Sequence, residues 1–334
     1  MMSNTLYRDV AVSVFVLLAL ITLPFASDNL GVRDFIIFVS AYGLLAMSLN
    51  LLIGNTGMIS FGHGMFFASG AYAFALMMQS GQFSIPAAFL LSVLSSAALA
   101  LVIGAICVRL KEIYFAFLTL AFQMLIHSII LSWVSLTGGD QGLVGGIPRP
   151  PFLGIDLSDN LHLYIFSCAI LLACVFAMRQ LVTSPFGYTL RMIRDNQERA
   201  AFLGIDVFRM KLIVFVIAGS IASVGGIILA LFVSGAYPNF AFWTTSGEAI
   251  FMIMLGGTVT FLGPLIGAII LTMLSDFVTV YTEHYGLVLG SIILLFALVL
   301  RRGMLDSILE FWDRRRAPSA SHELAGEAAV DARD

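Results

Sequence analysis

The sequence predicts an all-α integral membrane protein, a polytopic bundle of about eight to ten transmembrane helices that includes broken or re-entrant elements. Of its 334 residues, 60% are hydrophobic and only 11% are charged, which is far from the composition of soluble domains. Several apolar runs, such as 85–108 and 211–233, are long enough to cross ~30 Å of hydrocarbon as helices. An open sheet is excluded because its unpaired backbone groups would find no water in lipid.

Candidate spans, separated by polar breaks, follow one another along the first 300 residues, which we assign to one transmembrane domain. The first also resembles a signal peptide, because Arg8 precedes its short apolar core, but we interpret it as a retained helix. The shortest, around Glu248, is expected to be a half-helix or a re-entrant element, with Glu248 capping it. In order, the candidate spans are 10–25, 34–53, 61–79, 85–108, 113–134, 162–181, 211–233, 247–257, 264–281 and 286–300.

The basic residues predict the orientation of these spans. If the N-terminus is cytoplasmic and every candidate crosses, all 17 Lys and Arg residues except Arg33 and Arg149 fall in cytoplasmic segments. Cytoplasmic loops of membrane proteins carry such an excess of basic residues. We therefore expect a multi-pass protein of the bacterial inner membrane with both termini in the cytoplasm.

Two loops are long enough to have functions of their own. The external loop 135–161 is rich in Gly and Pro and is expected to be an ordered, turn-rich lid or docking surface. In the cytoplasmic loop 182–210, Leu190, Ile193 and Ala200 or Ala201 share one helical face, and a second face is charged. This helix is either bound to the membrane surface or a lever that docks into a cytoplasmic partner. The charged face holds Arg191, Arg194, Asp195 and Glu198. Beyond it, Gly204 is expected to end this helix, and Asp206 is expected to cap the membrane helix that follows.

The C-terminal 34 residues contain two further segments. Residues 301–316 place Met304, Ile308 and Trp312 on one face and end in three arginines, which predicts an interfacial cytoplasmic helix. Residues 317–334 have too little apolar surface to fold alone and are expected to be a disordered tail.

Small and polar residues mark packing faces and breaks inside the membrane. A stripe of small residues predicts close approach of neighbouring helices; it consists of Ala218, Gly219, Ala222, Ser223, Gly226 and Ala230. The glycines between 256 and 267 indicate either a tight hairpin, which we favour, or a broken transport helix. Cys107, Cys168 and Cys174 lie in apolar segments without a CxxC pair, so we expect packing roles and neither a disulfide nor a metal site.

Two groups of polar residues are candidates for a translocation path. In the first, Asn50 precedes a Gly-rich break, and Ser60, His63 and Phe67 follow helical spacing. Ionisable groups in a membrane usually face a cavity or the bundle interior, although a neutral imidazole can simply bind a neighbouring helix. In the second group, a polar line on an otherwise apolar helix predicts either a pore lining or contacts between helices. That line consists of Thr119, Gln123 and His127.

The chain carries no motif that predicts catalysis. The sequence contains no GxxxxGK[ST] phosphate loop, no GxSxG elbow and no HExxH zinc motif. If ATP drives transport, another subunit must therefore bind it.

Four sequence blocks resemble the permease subunits of branched-chain amino acid ABC importers, the LivM and LivH type. They are "SLNLLIGNTGMISFGHGMFFASGAYAFAL", "LTLAFQMLIHSIILSWVSLTGGDQGLVGGIPRP", "FGYTLRMIRDNQERAAFLGIDVFRMKLIVFVIAGSIASVGG" and the Gly-Gly…Gly-Pro segment at 256–264. The similarity covers roughly residues 34 to 300 and is greatest to LivM. One departure is that Val259 and Thr260 stand where the family commonly has a further glycine, which affects the expected shape of the hairpin.

The resemblance implies a transporter subunit that forms half of a translocation pathway. Its implied partners are a second, homologous LivH-like permease, two cytoplasmic ATPase subunits that bind ATP and Mg²⁺, and a periplasmic substrate-binding protein. The helix from Arg191 to Leu203 would be the ATPase-coupling element. The external loop, with Asp140, Gln141 and Arg149, would receive the binding protein. Beyond the membrane and these subunits, no nucleic acid is expected as a partner.

The substrate and the class of transporter leave alternatives open. Relatives of this family also carry urea, short amides or small carboxylates. An ion-coupled secondary transporter would work without ATPases, but it usually shows internal repeats and a buried carboxylate. An intramembrane enzyme that uses His63 would need a nucleophile or metal cluster, and the sequence indicates neither.

Overall fold

The computed structural model describes residues 30–110, 112–149, 157–281 and 284–299, and within these residues the fold is helical without a strand. We number the longer helices of this described part α1 (Leu30–Thr56), α2 (His63–Gln79), α3 (Ile85–Cys107), α4 (Glu112–Ser132), α5 (Asn160–Thr183), α6 (Pro185–Asp195), α7 (Gln197–Phe202), α8 (Val207–Val233), α9 (Trp243–Gly256), α10 (Gly263–Tyr281) and α11 (Tyr285–Val299). A single helical turn, Val134–Thr137, follows α4 and is not numbered. The prediction of an all-α polytopic membrane protein is confirmed.

Six of the described helices, α1, α3, α4, α5, α8 and α10, are long and apolar enough to cross a membrane. Three predicted spans correspond to the shorter helices α2, α9 and α11, which have 17, 14 and 15 residues. The predicted first span 10–25, the predicted interfacial helix 301–316 and the tail 317–334 lie outside the described residues.

The centre of the bundle is α8, which packs against α1, α2 and α3. The predicted stripe of small residues forms this packing face, since Ala218, Ala222 and Gly226 are buried. A Cβ atom on Gly226 would collide with the backbone carbonyl of Phe67 on α2. On the other side of the close approach, a Cβ on Gly70 would collide with the backbone of Ser223. The two backbones therefore meet where neither helix has a side chain.

Helices α9 and α10 form the tight hairpin that the sequence predicted. A Cβ on Gly256 would strike the carbonyl of Gly263, and one on Gly267 would strike the carbonyl of Met252. Between the helices, Gly257 has φ +112°, a conformation that side chains strongly disfavour. Glycines thus allow both the reversal of the chain and the contact between the two backbones.

The predicted capping role of Glu248 is wrong. Residues Pro238–Ala241 form a 3₁₀ turn that leads into α9, so the helix begins at Trp243 with Phe242 as its N-cap. Glu248 lies one turn further along, within the helix. The sequence prediction began this helix several residues too late because hydropathy rises only after Gly247.

Candidate functional site

A break between α1 and α2 forms the centre of the first candidate site. Helix α1 ends at Thr56, Gly57 follows with φ +72°, and α2 begins at His63. Ser60 therefore precedes α2, and its hydroxyl accepts a hydrogen bond from the amide of Gly62 at 3.2 Å. The predicted helical face shared by Ser60, His63 and Phe67 holds only for the last two, because the glycines of the break delay the helix.

His63 is fully buried at the start of α2 and contacts α1. Its Nε2 lies 3.1 Å from the hydroxyl of Ser48, and its ring meets that of Phe66 edge-on. The other ring nitrogen, Nδ1, is buried without a hydrogen bond among the described residues, and the imidazole lies near the backbone of Ala218 on α8. The imidazole thus lies between α1, α2 and α8.

The polar line on α4 binds the break and the start of α9. The hydroxyl of Thr119 accepts a hydrogen bond from the amide of Phe61 at 3.2 Å. The Nε2 of Gln123 donates to the carbonyl of Phe242 at 2.7 Å, and its Oε1 accepts from the hydroxyl of Ser246 at 2.6 Å. Ser246 also accepts a hydrogen bond from the amide of Gly64 at 2.8 Å. This buried set of polar groups therefore joins the middle of α4 to the starts of α2 and α9.

His127, one helical turn beyond Gln123, extends this contact. Its Nδ1 lies 3.1 Å from the carbonyl of Pro238, and its ring centre is 5.1 Å from that of Phe242. Sequence reasoning missed Ser48 and Ser246 as partners, although both are polar residues in apolar helices. Their pairing depends on contacts between segments far apart in the chain, which spacing does not reveal.

The other two path candidates lie close to this cluster. Phe67 is fully buried, with its ring 6.0 Å from Phe240 and 5.6 Å from Tyr42. Asn50 faces the α9–α10 hairpin, where its amide nitrogen approaches the carbonyl of Thr258 at 3.5 Å. All seven candidates thus make contacts within the chain, and a role in the path stays a prediction.

The second candidate site is the coupling segment, which we define as α6 and α7. The family resemblance implied one coupling helix from Arg191 to Leu203, but Asn196 adopts an extended conformation and divides it. The Asn196 side chain then caps α7 by accepting from the amide of Arg199 at 2.8 Å. Asparagine favours such N-cap positions over helix interiors, which explains the break.

The coupling segment has a buried inner face and an exposed outer one. Leu190, Ile193 and Ala200 are buried, as their spacing predicted. At the end of α7, Phe202 is 91% exposed and Leu203 is 65% exposed. Sequence reasoning did not select these two side chains. Exposed neighbours on the same segment are Asp195, Glu198 and Arg199.

Arg194 connects the coupling segment to the end of α1. Its guanidinium donates to the carbonyl of Gly54, within the last turn of α1, and it also pairs with Asp195 at 3.4 Å. Helix C-termini carry carbonyls without helical partners and a partial negative charge, both of which favour an arginine. Arg191 instead lies over the Tyr188 ring at 4.5 Å.

The end of the coupling segment follows the predicted capping pattern. Gly204 has φ +83° after α7 ends, and Asp206 caps α8 by accepting from the amide of Arg209 at 3.0 Å. Both predicted boundary residues therefore act as boundaries.

In the predicted external loop, the residues predicted to dock the binding protein differ in their exposure. Asp140 and Gln141 are exposed in a short 3₁₀ turn at Gly139–Gln141. Arg149 turns inward, where its guanidinium donates to the carbonyl of Leu157 at 3.1 Å and to that of Leu231 near the end of α8. Arg149 thus stabilises the loop against the bundle.

The polytopic helical bundle, with its glycine-rich break and an amphipathic segment at one end, is that of a multi-pass membrane protein. The family described as branched-chain amino acid transport system, permease component, matches residues 31–298. The chain belongs to this family, and it is a multi-pass transport protein rather than an enzyme.

Curated relatives include both types of permease that the sequence blocks resemble. LivM of Salmonella typhimurium, a high-affinity branched-chain amino acid transport system permease protein, is 24% identical over 298 residues, covering 82% of this chain and 70% of LivM. LivH of Escherichia coli, named likewise, is 26% identical over 282 residues, covering 80% of this chain and 91% of LivH. The ribose import permease protein RbsC of Bacillus subtilis is 30% identical over 167 residues, covering 46% of this chain and 48% of RbsC. No solved structure shows significant similarity to the chain.

Proposed function

We propose that this chain is the LivM-type permease subunit of an ABC importer for branched-chain or related amino acids. It forms half of the translocation pathway, and a second, LivH-like permease forms the other half. Two cytoplasmic ATPase subunits bind ATP and Mg²⁺ and drive transport, and a periplasmic protein delivers the substrate. The chain lies in the bacterial inner membrane with the coupling segment on the cytoplasmic side.

The coupling segment carries this proposal. Phe202 and Leu203 offer apolar side chains to a partner, and the buried inner face attaches the segment to the bundle. Arg194 links the same segment to the last turn of α1, immediately before the break that leads to His63. If the coupling segment moves, the hydrogen bond between Arg194 and Gly54 and the packed inner face of the segment would therefore transmit that movement to the break. An exposed phenylalanine among charged residues suits a protein groove.

The polar cluster around the break is the proposed location of this chain's half of the pathway. Asn50, Ser60, His63, Phe67 and the Thr119, Gln123 and His127 line all lie on or beside it. Their present hydrogen bonds hold the break in place. A path role requires that some of these groups exchange their internal partners for substrate during transport.

The choice of substrate rests on the relatives. LivM and LivH are named for branched-chain amino acids, which supports that substrate class here. The ribose permease that matches half of the chain supports a common architecture for different cargoes. We therefore assign selection to the binding protein, which docks at the external loop near Asp140 and Gln141.

Reconstitution of the complete importer in proteoliposomes tests the proposal. We expect leucine uptake to require ATP and the binding protein, and to be lost in the double variant Phe202→Ser/Leu203→Ser, because the ATPase subunits no longer bind. Co-purification of the ATPases with the permease measures that loss directly.

The matched control is Val144→Ser, an exposed apolar residue of the external loop, which should leave ATPase binding unchanged. ATP-independent uptake by the purified chain alone would overturn the importer assignment. Full ATPase binding by the double variant would remove the coupling role of Phe202 and Leu203.

A further inference from the structure

Glu248 is a carboxylate within the bundle that takes no part in the polar cluster around the break. It lies in the second turn of α9, and its side chain is only partly exposed. It does not cap the helix, because Phe242 holds the N-cap position. An ionisable group in a membrane-embedded helix is costly, and it usually faces an opposite charge or a substrate path.

Among the described residues, none forms a hydrogen bond or an ion pair with the Glu248 carboxylate. The helices that pack against α9 are α1, α2, α4, α10 and α11, and the first three each carry one basic side chain. His63 on α2 and His127 on α4 already contact other polar groups. Arg33, in the first turn of α1, interacts with Tyr164 on α5. The carboxylate is thus left for a cation that does not come from these helices.

Aromatic rings lie beside the carboxylate. Glu248 is close enough to Tyr42 on α1 for the two side chains to interact electrostatically. The ring of Tyr42 stacks on that of Phe38 with centres 4.6 Å apart, and it lies 5.6 Å from the ring of Phe67. Phe67 in turn meets Phe240, shortly before α9, at 6.0 Å. Phe38, Tyr42 and Phe240 are all partly exposed, so these rings offer aromatic surface to an occupant.

The face of α9 that carries Glu248 is accessible from outside the chain. Thr244 and Phe251 are exposed, and their spacing from Glu248 places all three on one side of the helix. Lipid cannot satisfy a carboxylate on that face. The basic residues outside the described ranges, such as Arg8 and Arg301, all belong to segments predicted to lie in the cytoplasm. This face therefore suits a pathway that a second permease completes.

We propose that Glu248 and the neighbouring rings bind the ammonium group of the transported amino acid. This inference rests on the proposed import function and adds a second site to the cluster around the break. The carboxylate supplies the opposite charge, and aromatic faces attract a cation within about 6 Å of the ring centre. The apolar side chain of the substrate would pack against Tyr42 and Phe240. Urea and small carboxylates carry no ammonium group, so this site favours amino acids over those alternative cargoes.

Uptake of leucine by the reconstituted importer, with ATP and the binding protein, tests this site. Glu248→Gln keeps the size of the side chain and removes its charge. We expect its uptake rate to fall about tenfold or more, because a charge-assisted hydrogen bond to the substrate is lost. Thermal melting and co-purification of the second permease should be unchanged, and Glu248→Asp should recover part of the uptake. The matched control is Asp276→Asn, which removes a charge from an exposed position on α10 and should transport like the wild type.

Photo-leucine, a diazirine analogue of leucine, measures binding independently of the uptake rate. On illumination of the complete importer it should attach near Tyr42 or Phe240, excess leucine should prevent the attachment, and Glu248→Gln should lose it. If Glu248→Gln fails to fold, attachment to the wild type decides, and labelling confined to other segments overturns the site.

Two further outcomes count against the site while the importer assignment stands. Uptake and labelling by Glu248→Gln at the level of the wild type would remove the ligand role. Loss of the second permease from purified Glu248→Gln would assign the carboxylate to the contact between subunits instead. In contrast, a wild type that takes up no leucine with ATP and the binding protein present would contradict the proposed function itself.

Discussion

At the residue scale, single polar side chains in the bundle connect the middle of one helix to the start of another. Gln123 illustrates this, because its amide uses both ends, one on Phe242 and one on Ser246. In lipid, a polar group without a partner is costly, so each such residue must face either another polar group or a water-filled path. The spacing of Thr119, Gln123 and His127 was predictable. The groups that they face lie in distant segments, 58 residues away for Thr119 and more than a hundred for Gln123 and His127.

Substitution of Gln123 separates a packing role from a path role. Gln123→Leu removes both hydrogen bonds and should lower the free energy of unfolding by about 1–3 kcal/mol for each buried partner left unsatisfied. We expect thermal melting of the detergent-purified protein to fall, with uptake per folded molecule retained. Gln79→Leu, the same change at an exposed amide, is the control and should melt like the wild type. Lost uptake with unchanged melting would instead assign Gln123 to the path.

At the element scale, α8 shows how closely the helices can approach. Its alanines and glycines were recognisable in the sequence as a packing face, and the structure places that face against α1, α2 and α3. The coupling segment was recognisable as amphipathic too. Its division at Asn196 was not predicted, because a capping asparagine and a polar residue inside one helix look alike in a periodic pattern.

The close approach at α8 predicts unequal effects of two glycine substitutions. Gly226→Ala should cost about 1–3 kcal/mol, because its methyl group meets the Phe67 carbonyl and the helices must separate. Gly247→Ala, in the membrane helix α9, meets no atom within 4 Å and should be neutral or slightly stabilising. Thermal melting of both variants measures the difference. Equal stability would show that α2 and α8 can move apart without cost.

At the scale of the whole molecule, the distribution of basic residues predicts which side each loop faces. The coupling segment, with Arg191, Arg194 and Arg199, lies at one end of the bundle, and Asp140 lies in the loop predicted at the other end. Cytoplasmic segments retain basic residues during insertion, so this difference predicts the orientation of the entire chain.

Cysteine labelling of intact spheroplasts tests this orientation. A membrane-impermeant maleimide should label Asp140→Cys from outside and label Glu198→Cys only after permeabilisation. The wild type is the background control, since Cys107 and Cys168 are buried and Cys174 is partly buried. Labelling of both variants from the same side would contradict the predicted topology.

The sequence by itself determined the properties that depend on neighbouring residues. Apolar runs predicted nine of the helices in the described part, glycines predicted the hairpin, and Asp206 predicted a helix start. Only the tertiary structure decided which groups meet: Arg194 with Gly54, Arg149 with Leu231, and Gln123 with Ser246. The physical reason is that hydropathy and capping act within a few residues. A buried polar group, in contrast, is satisfied by any suitable partner that the packing of the whole bundle brings within reach.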